Sequence, residues 1–147
     1  MAQRRPIFLR VLAHQHRDHH ERCLWLPLGP YRLALCSRCT GLYPTLALAL
    51  GLQLSLGAPR QVSLLDWLGG LFLAAPALLD WGASRLRWPG HNALRFVTGV
   101  LLGIALGRGF YLYFFDPLGP LLWIQLGLLG IGALAFEVVR QLDFSEY

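Results

Sequence analysis

Lysine is absent from this chain: all 13 basic side chains among its 147 residues are arginine. That absence reflects genomic base composition and excludes nothing mechanistic. Charge of either sign is scarce, at 14% of residues, while 55% are apolar. A soluble domain of this size needs more polar residues to cover its surface, so the scarcity argues against a water-soluble globule and for lipid contact. The net charge of +5 is not arranged for nucleic acid, since the arginines cluster at the ends of apolar segments, where the positive-inside rule accounts for them. Cysteine is also scarce. Three thiols cannot all pair with one another, which argues against a secreted disulfide framework. Met1 to Asp18 carries Arg4, Arg5, Arg10 and Arg17 but lacks an apolar core and a small-residue cleavage site. No signal peptide is predicted, and the first membrane segment is expected to direct its own insertion.

What the sequence does hold is four apolar stretches, from about Leu42 to Leu56, Leu64 to Leu79, Leu94 to Phe115 and Leu118 to Val139. A helix needs roughly 20 apolar residues to cross the hydrocarbon core. Spans three and four meet that length; spans one and two reach it only with flanking residues such as Thr40, Ser63 and Trp81. Pro44 near the start of span one costs little, and Pro76 inside span two predicts a kink. The expected fold class is all-α: an integral membrane four-helix bundle over residues 41–140, preceded by a short cytoplasmic segment, 1–40, and followed by a short tail, 141–147.

Arginine asymmetry orients the spans. Arg4, Arg5, Arg10, Arg17, Arg22, Arg32 and Arg38 precede span one, and Arg85, Arg87 and Arg95 lie between spans two and three. The loop between spans one and two has only Arg60, and the Asp116-Pro117 turn has no basic residue. Both termini are therefore expected in the cytoplasm, with the protein in the inner membrane. Gly99, Gly103 and Gly107 recur every fourth position on span three, and Gly127, Gly130 and Gly132 thin span four. Such stripes let backbones approach closely. They serve packing within the chain or, as the alternative, a homo-oligomer contact.

The N-terminal segment is rich in candidate chemistry. Ile7, Phe8, Leu9, Val11 and Leu12 are predicted as a short amphipathic interfacial helix. His14, His16, His19 and His20 crowd before Cys23. The run Leu24 to Leu35 has a turn signal at Leu28-Gly29-Pro30 and reads as a hairpin. Centred on Gly29 and Pro30, that hairpin sets Cys23 opposite Cys36, with Cys39 about one turn further on. A tetrahedral Zn²⁺ site takes four Cys and His ligands, commonly as two pairs. Cys36 and Cys39 supply one pair, and Cys23 with His14, His16, His19 or His20 the other. A solvated His patch beside packed thiols is the plainer alternative, and a redox dithiol a third.

Polar residues recur at the same membrane level. Asp80 closes span two, while Asn92, Arg95 and Gly99 share one face of span three, with Thr98 beside it. Asp80 and Arg95 are expected to ion-pair, and Asp80, Asn92, Arg95 and Thr98 to line a pocket for a small polar or lipid head-group ligand; the equal alternative is structural, the pair fixing the spans against each other and Arg95 following the positive-inside rule. Arg108, deep in span three, needs Asp66 or Asp116 as partner, unless it snorkels to the outer surface.

The pieces His14-Gln15, Cys36-Ser37-Arg38-Cys39-Thr40-Gly41-Leu42-Tyr43, Asp80-Trp81-Gly82 and Asn92-Ala93-Leu94-Arg95-Phe96-Val97-Thr98-Gly99 resemble an uncharacterised family of prokaryotic membrane proteins, domain of unknown function 2085. The resemblance covers roughly residues 12–107. It implies a multi-span membrane protein and no established activity. Ala13 stands where the family has a first Cys, and Trp81 separates the family's Asp-Gly pair. The functional expectation is a small membrane protein with a cytoplasmic-face Cys/His site for Zn²⁺ beside the polar pocket. Its rivals are a membrane-embedded thiol or metal enzyme acting on a lipid or quinone, and an assembly subunit of a membrane complex.

Overall fold

The computed structural model describes residues 7–9, 23–28, 31–86 and 90–145. Four helices dominate: α1 (Ser37–Leu56), α2 (Leu64–Arg85), α3 (Asn92–Phe115) and α4 (Pro120–Ser145). All four are long and apolar enough to cross a membrane. Each begins or ends on polar residues that a hydropathy pattern undercounts. Thus α1 starts at Ser37 rather than Leu42, and α2 continues past Leu79 to Arg85. Pro44 and Pro76 lie inside α1 and α2.

Helix α3 is the centre of the bundle and packs most extensively on α1, then on α2 and α4; α2 and α4 also meet. The reason lies in the glycines. A methyl group added at Gly99 would collide with the Arg38 carbonyl, and one at Gly103 would lie 2.7 Å from the Leu42 carbonyl oxygen. Gly41 of α1 answers from the other side, its added methyl colliding with the Phe96 carbonyl. Without a hydrophobic drive between helices in lipid, such backbone contact is what holds them. The glycine stripe of span three is therefore used inside the chain, between two parallel helices. On α4, Gly127 and Gly130 have nothing within 4 Å of an added methyl.

The loop after α1 is closed by Gly57, whose φ of 62° ends the helix in the left-handed region. Ser63 and Asp66 form a full capping box at the start of α2.

Among the described residues, three strands precede the helices: β1 (Ile7–Leu9), β2 (Cys23–Leu28) and β3 (Tyr31–Cys36), in the order β1-β3-β2. The expected hairpin is present in the expected register, with Cys23 opposite Cys36 and Leu28 opposite Tyr31. The interfacial helix is corrected for Ile7–Leu9, which runs parallel to β3 as a strand. Its backbone groups find partners on the free edge of β3, an option that a lone apolar stretch does not advertise.

Candidate functional site

Strand β3 runs directly into α1, so the chain changes from strand to helix at Cys36. Cys36 is the N-cap residue, with extended backbone (φ −61°, ψ 123°), and Cys39 lies in the first turn. Thr40 donates from Oγ1 to the Cys36 carbonyl at 2.9 Å and fastens that turn. Cys23 is buried, and none of the three cysteines is in a disulfide. Among the described residues, no group of three His, Cys, Asp or Glu side chains is arranged to hold a metal. His14, His16, His19 and His20 lie outside the described residues, so the fourth ligand expected from sequence is outside them too.

One residue inside the CxxC motif leads to the second part of the site. Arg38 projects from the first turn of α1 and ion-pairs through Nη2 with Oδ2 of Asp80 on α2. Asp80 is 8% exposed. The expected partner, Arg95, is also buried and lies alongside. Its Nη2 donates to Ser84 Oγ at 3.4 Å, and Ser84 donates to the Asp80 carbonyl at 2.7 Å. The loop residue Gly90 covers both groups. An added methyl there would be 3.1 Å from Arg95 Nη2 and 3.4 Å from Asp80 Oδ1. Arg38, which the sequence marks only as a topogenic charge, thus makes a cross-helix ion pair with Asp80.

The remaining expected residues divide. Asn92 opens α3 at the same end of the bundle. Thr98 is buried, but its hydroxyl donates to the Arg95 carbonyl at 3.1 Å within α3, so its proton is committed to its own helix. Sequence reasoning missed Arg38 and Ser84. The i, i+4 spacing of Asp80 and Ser84 was the available signal for Ser84.

At the far end of the bundle, Arg108 finds Asp66, one of its two expected partners. Nε donates to Oδ1 at 2.8 Å and Nη2 to Oδ2 at 3.2 Å, with Nη1 reaching Gln53 Oε1 at 3.3 Å. Tyr111, 1% exposed, donates to the Ala58 carbonyl at 2.6 Å. This cluster locks the α1–α2 loop onto α3. Glu137 and Arg140 pair at i, i+3 on α4.

Four apolar helices, a short sheet at one end and a buried charged cluster beside it define a membrane protein with four candidate spans. The chain belongs to the predicted membrane protein family DUF2085, whose model matches residues 14–108. That stretch holds the cysteines, the charged cluster and all of α1 and α2, and leaves α4 outside. No curated protein and no solved structure matches the chain.

Proposed function

We propose that the protein is an integral protein of the cytoplasmic membrane, with both termini inside, whose sheet end binds a small polar or lipid head-group ligand. The observation that carries this is the convergence of the part-buried Arg38 with the buried Asp80 and Arg95, from three different helices, at one end of an apolar bundle. Charged side chains at membrane depth are costly, and they mark ligand or ion sites more often than bare structural ties. Asn92 and Ser84 add neutral hydrogen-bonding groups at the same level, and the buried Thr98 hydroxyl is held by the Arg95 carbonyl. The arginine excess at this end supports its cytoplasmic placement.

In the same reading, Cys36, Cys39, Cys23 and His14 hold Zn²⁺ and fasten the N-terminal segment over the cluster. The pairing of Cys23 with Cys36 in register supports it. A tetrahedral site needs four N or S ligands, so the histidine-rich segment must supply what the thiols do not. Cytoplasmic placement keeps the thiols reduced and available.

Native mass spectrometry of protein released from mild detergent tests the ligand site. A stoichiometric small-molecule or lipid adduct on the wild type, lost in Asp80→Asn, is expected; equal adducts on both would reject the assignment. Metal analysis of the same preparation, with the Cys36→Ser, Cys39→Ser double variant as control, tests the zinc site. A metal-free wild type ends that part of the proposal.

A further inference from the structure

We propose that Cys36 is the shared member of a thiol–disulfide switch: oxidation joins it to Cys23 across the hairpin, and Cys39 takes the bond back. The switch depends on the placement of the three thiols. Where they hold zinc, it also regulates that site, because a joined pair leaves one thiol of three to ligate.

In the ladder of β2 and β3, Cys23 is directly opposite Cys36. Directly opposed residues of an antiparallel pair have Cα atoms about 4.5–5.5 Å apart. A disulfide spans about 4.4–6.8 Å between Cα atoms, so this bond forms with little movement of either strand. The Cys36–Cys39 pair is placed differently. Cys36 is the N-cap residue of α1, and Cys39 follows it within the first turn. Residues three apart on a helix have Cβ atoms about 5–6 Å apart, wider than the roughly 3.8 Å that a disulfide prefers. That bond needs some unwinding of the turn that Thr40 fastens to the Cys36 carbonyl. The ladder bond is therefore the lasting oxidised form, and the helix-turn bond the transient one.

Exposure sets the direction of entry. Cys23 is 7% exposed, whereas Cys36 and Cys39 are only half-buried. A small reagent meets the CxxC pair first, and Cys36 passes the bond inward to Cys23. On a cytoplasmic face, disulfides are transient and serve redox sensing.

The oxidant is a low-molecular-weight disulfide. The Cys36 thiolate attacks one of its sulfurs, forms a mixed disulfide and expels a thiolate. The Cys23 thiolate then attacks Cys36 Sγ, forms the Cys23–Cys36 bond and expels the second thiolate. The two protons given up by the cysteines go to the two expelled thiolates. In the return, the Cys39 thiolate attacks Cys36 Sγ, and the departing Cys23 sulfur takes up the proton that Cys39 gave up. Two low-molecular-weight thiols then reduce the Cys36–Cys39 bond and become a disulfide themselves. Arg38, between the two cysteines of the motif, pairs with Asp80. Oxidation thus fixes β2 to the entry of α1 beside that pair.

The test uses full-length protein in maltoside micelles, with and without a metal chelator, in mixtures of oxidised and reduced glutathione. Acid quenching, differential alkylation and mass spectrometry of the digest read each cysteine. The Cys23–Cys36 bond is expected to accumulate as the oxidised fraction rises. On return to reduced glutathione, a Cys36–Cys39 bond should appear transiently before all three thiols are free. Cys39→Ser should reach the same oxidised state and be reduced severalfold more slowly. A Cys23 thiol that stays free in chelator-treated wild type under full oxidation overturns the switch, even where metal analysis finds zinc before chelation. Formation of the bond in a preparation that never held metal rejects zinc and supports the switch. An unchanged reduction rate in Cys39→Ser overturns the exchange. If that variant misfolds, the wild-type time course decides, and reduction without the transient bond overturns the exchange in the same way.

Discussion

Arg38 of α1 and Asp80 of α2 are ion-paired at the sheet end, linking two helices that each pack chiefly on α3. The pair sits where the CxxC turn begins, so it ties the thiol-bearing turn to the charged cluster.

Removing one partner of that pair leaves the other buried and uncompensated. Arg38→Ala is expected to destabilise the protein by about 3–5 kcal/mol, as is typical when a buried pair is broken from one side. Arg38→Ala with Asp80→Ala should cost clearly less than the sum of the single changes. Denaturation in mixed micelles measures the cycle; additive costs would mean that the pair carries no coupling.

Backbone contact between α1 and α3 predicts a sharp contrast among glycines. Gly99→Ala forces a methyl into the Arg38 carbonyl and should lower the unfolding temperature by several degrees, with Gly103→Ala close behind. Gly127→Ala and Gly130→Ala face open space and should be neutral or slightly stabilising, within about 1 kcal/mol. Similar losses at all four positions would contradict the close approach of the two helices.

The hairpin register predicts a specific cross-link. Directly opposed residues of an antiparallel pair have Cα atoms about 4.5–5.5 Å apart, inside the range a disulfide spans. In a Cys39→Ser variant, a mild oxidant should join Cys23 to Cys36 within one chain, read by mass spectrometry of the digested protein. Failure to cross-link while both thiols react with a small alkylating agent would displace the register.

Asp66 has two tasks. Its Oδ2 accepts from the Ser63 backbone N–H at 2.7 Å, and its carboxylate grips Arg108. Ser63→Ala removes only part of the capping box and should cost about 0.5–2 kcal/mol. Asp66→Ala should cost more, because it also strands Arg108 in the apolar bundle. Equal costs for the two variants would show that Arg108 snorkels free of its partner.

Much of this was legible in the chain because it depends on local pattern. Four apolar stretches mark four helices, and the symmetry of the segment about Gly29 and Pro30 fixes Cys23 opposite Cys36. Arg108 with Asp66 was legible because a deep arginine needs a carboxylate and few are available. Arg38 was not, because its role depends on which helices become neighbours. A positive charge beside a membrane entry already has a sufficient explanation in topology. Ile7–Leu9 was misjudged for a related reason: three residues become a strand only when β3 offers an edge. The helix starts were missed because the first turn of α1, Ser37 to Thr40, is polar, and its helicity rests on packing against α3 at Gly99.

The central claim, that the sheet end is a built ligand site, is tested most directly by an experimental structure of the protein purified from its native membrane. Ligand density contacting Arg38 and Arg95 beside Asp80 is the result expected. A cluster closed by the chain's own Asp18 or Glu21, with no ligand between the two arginines, would contradict it.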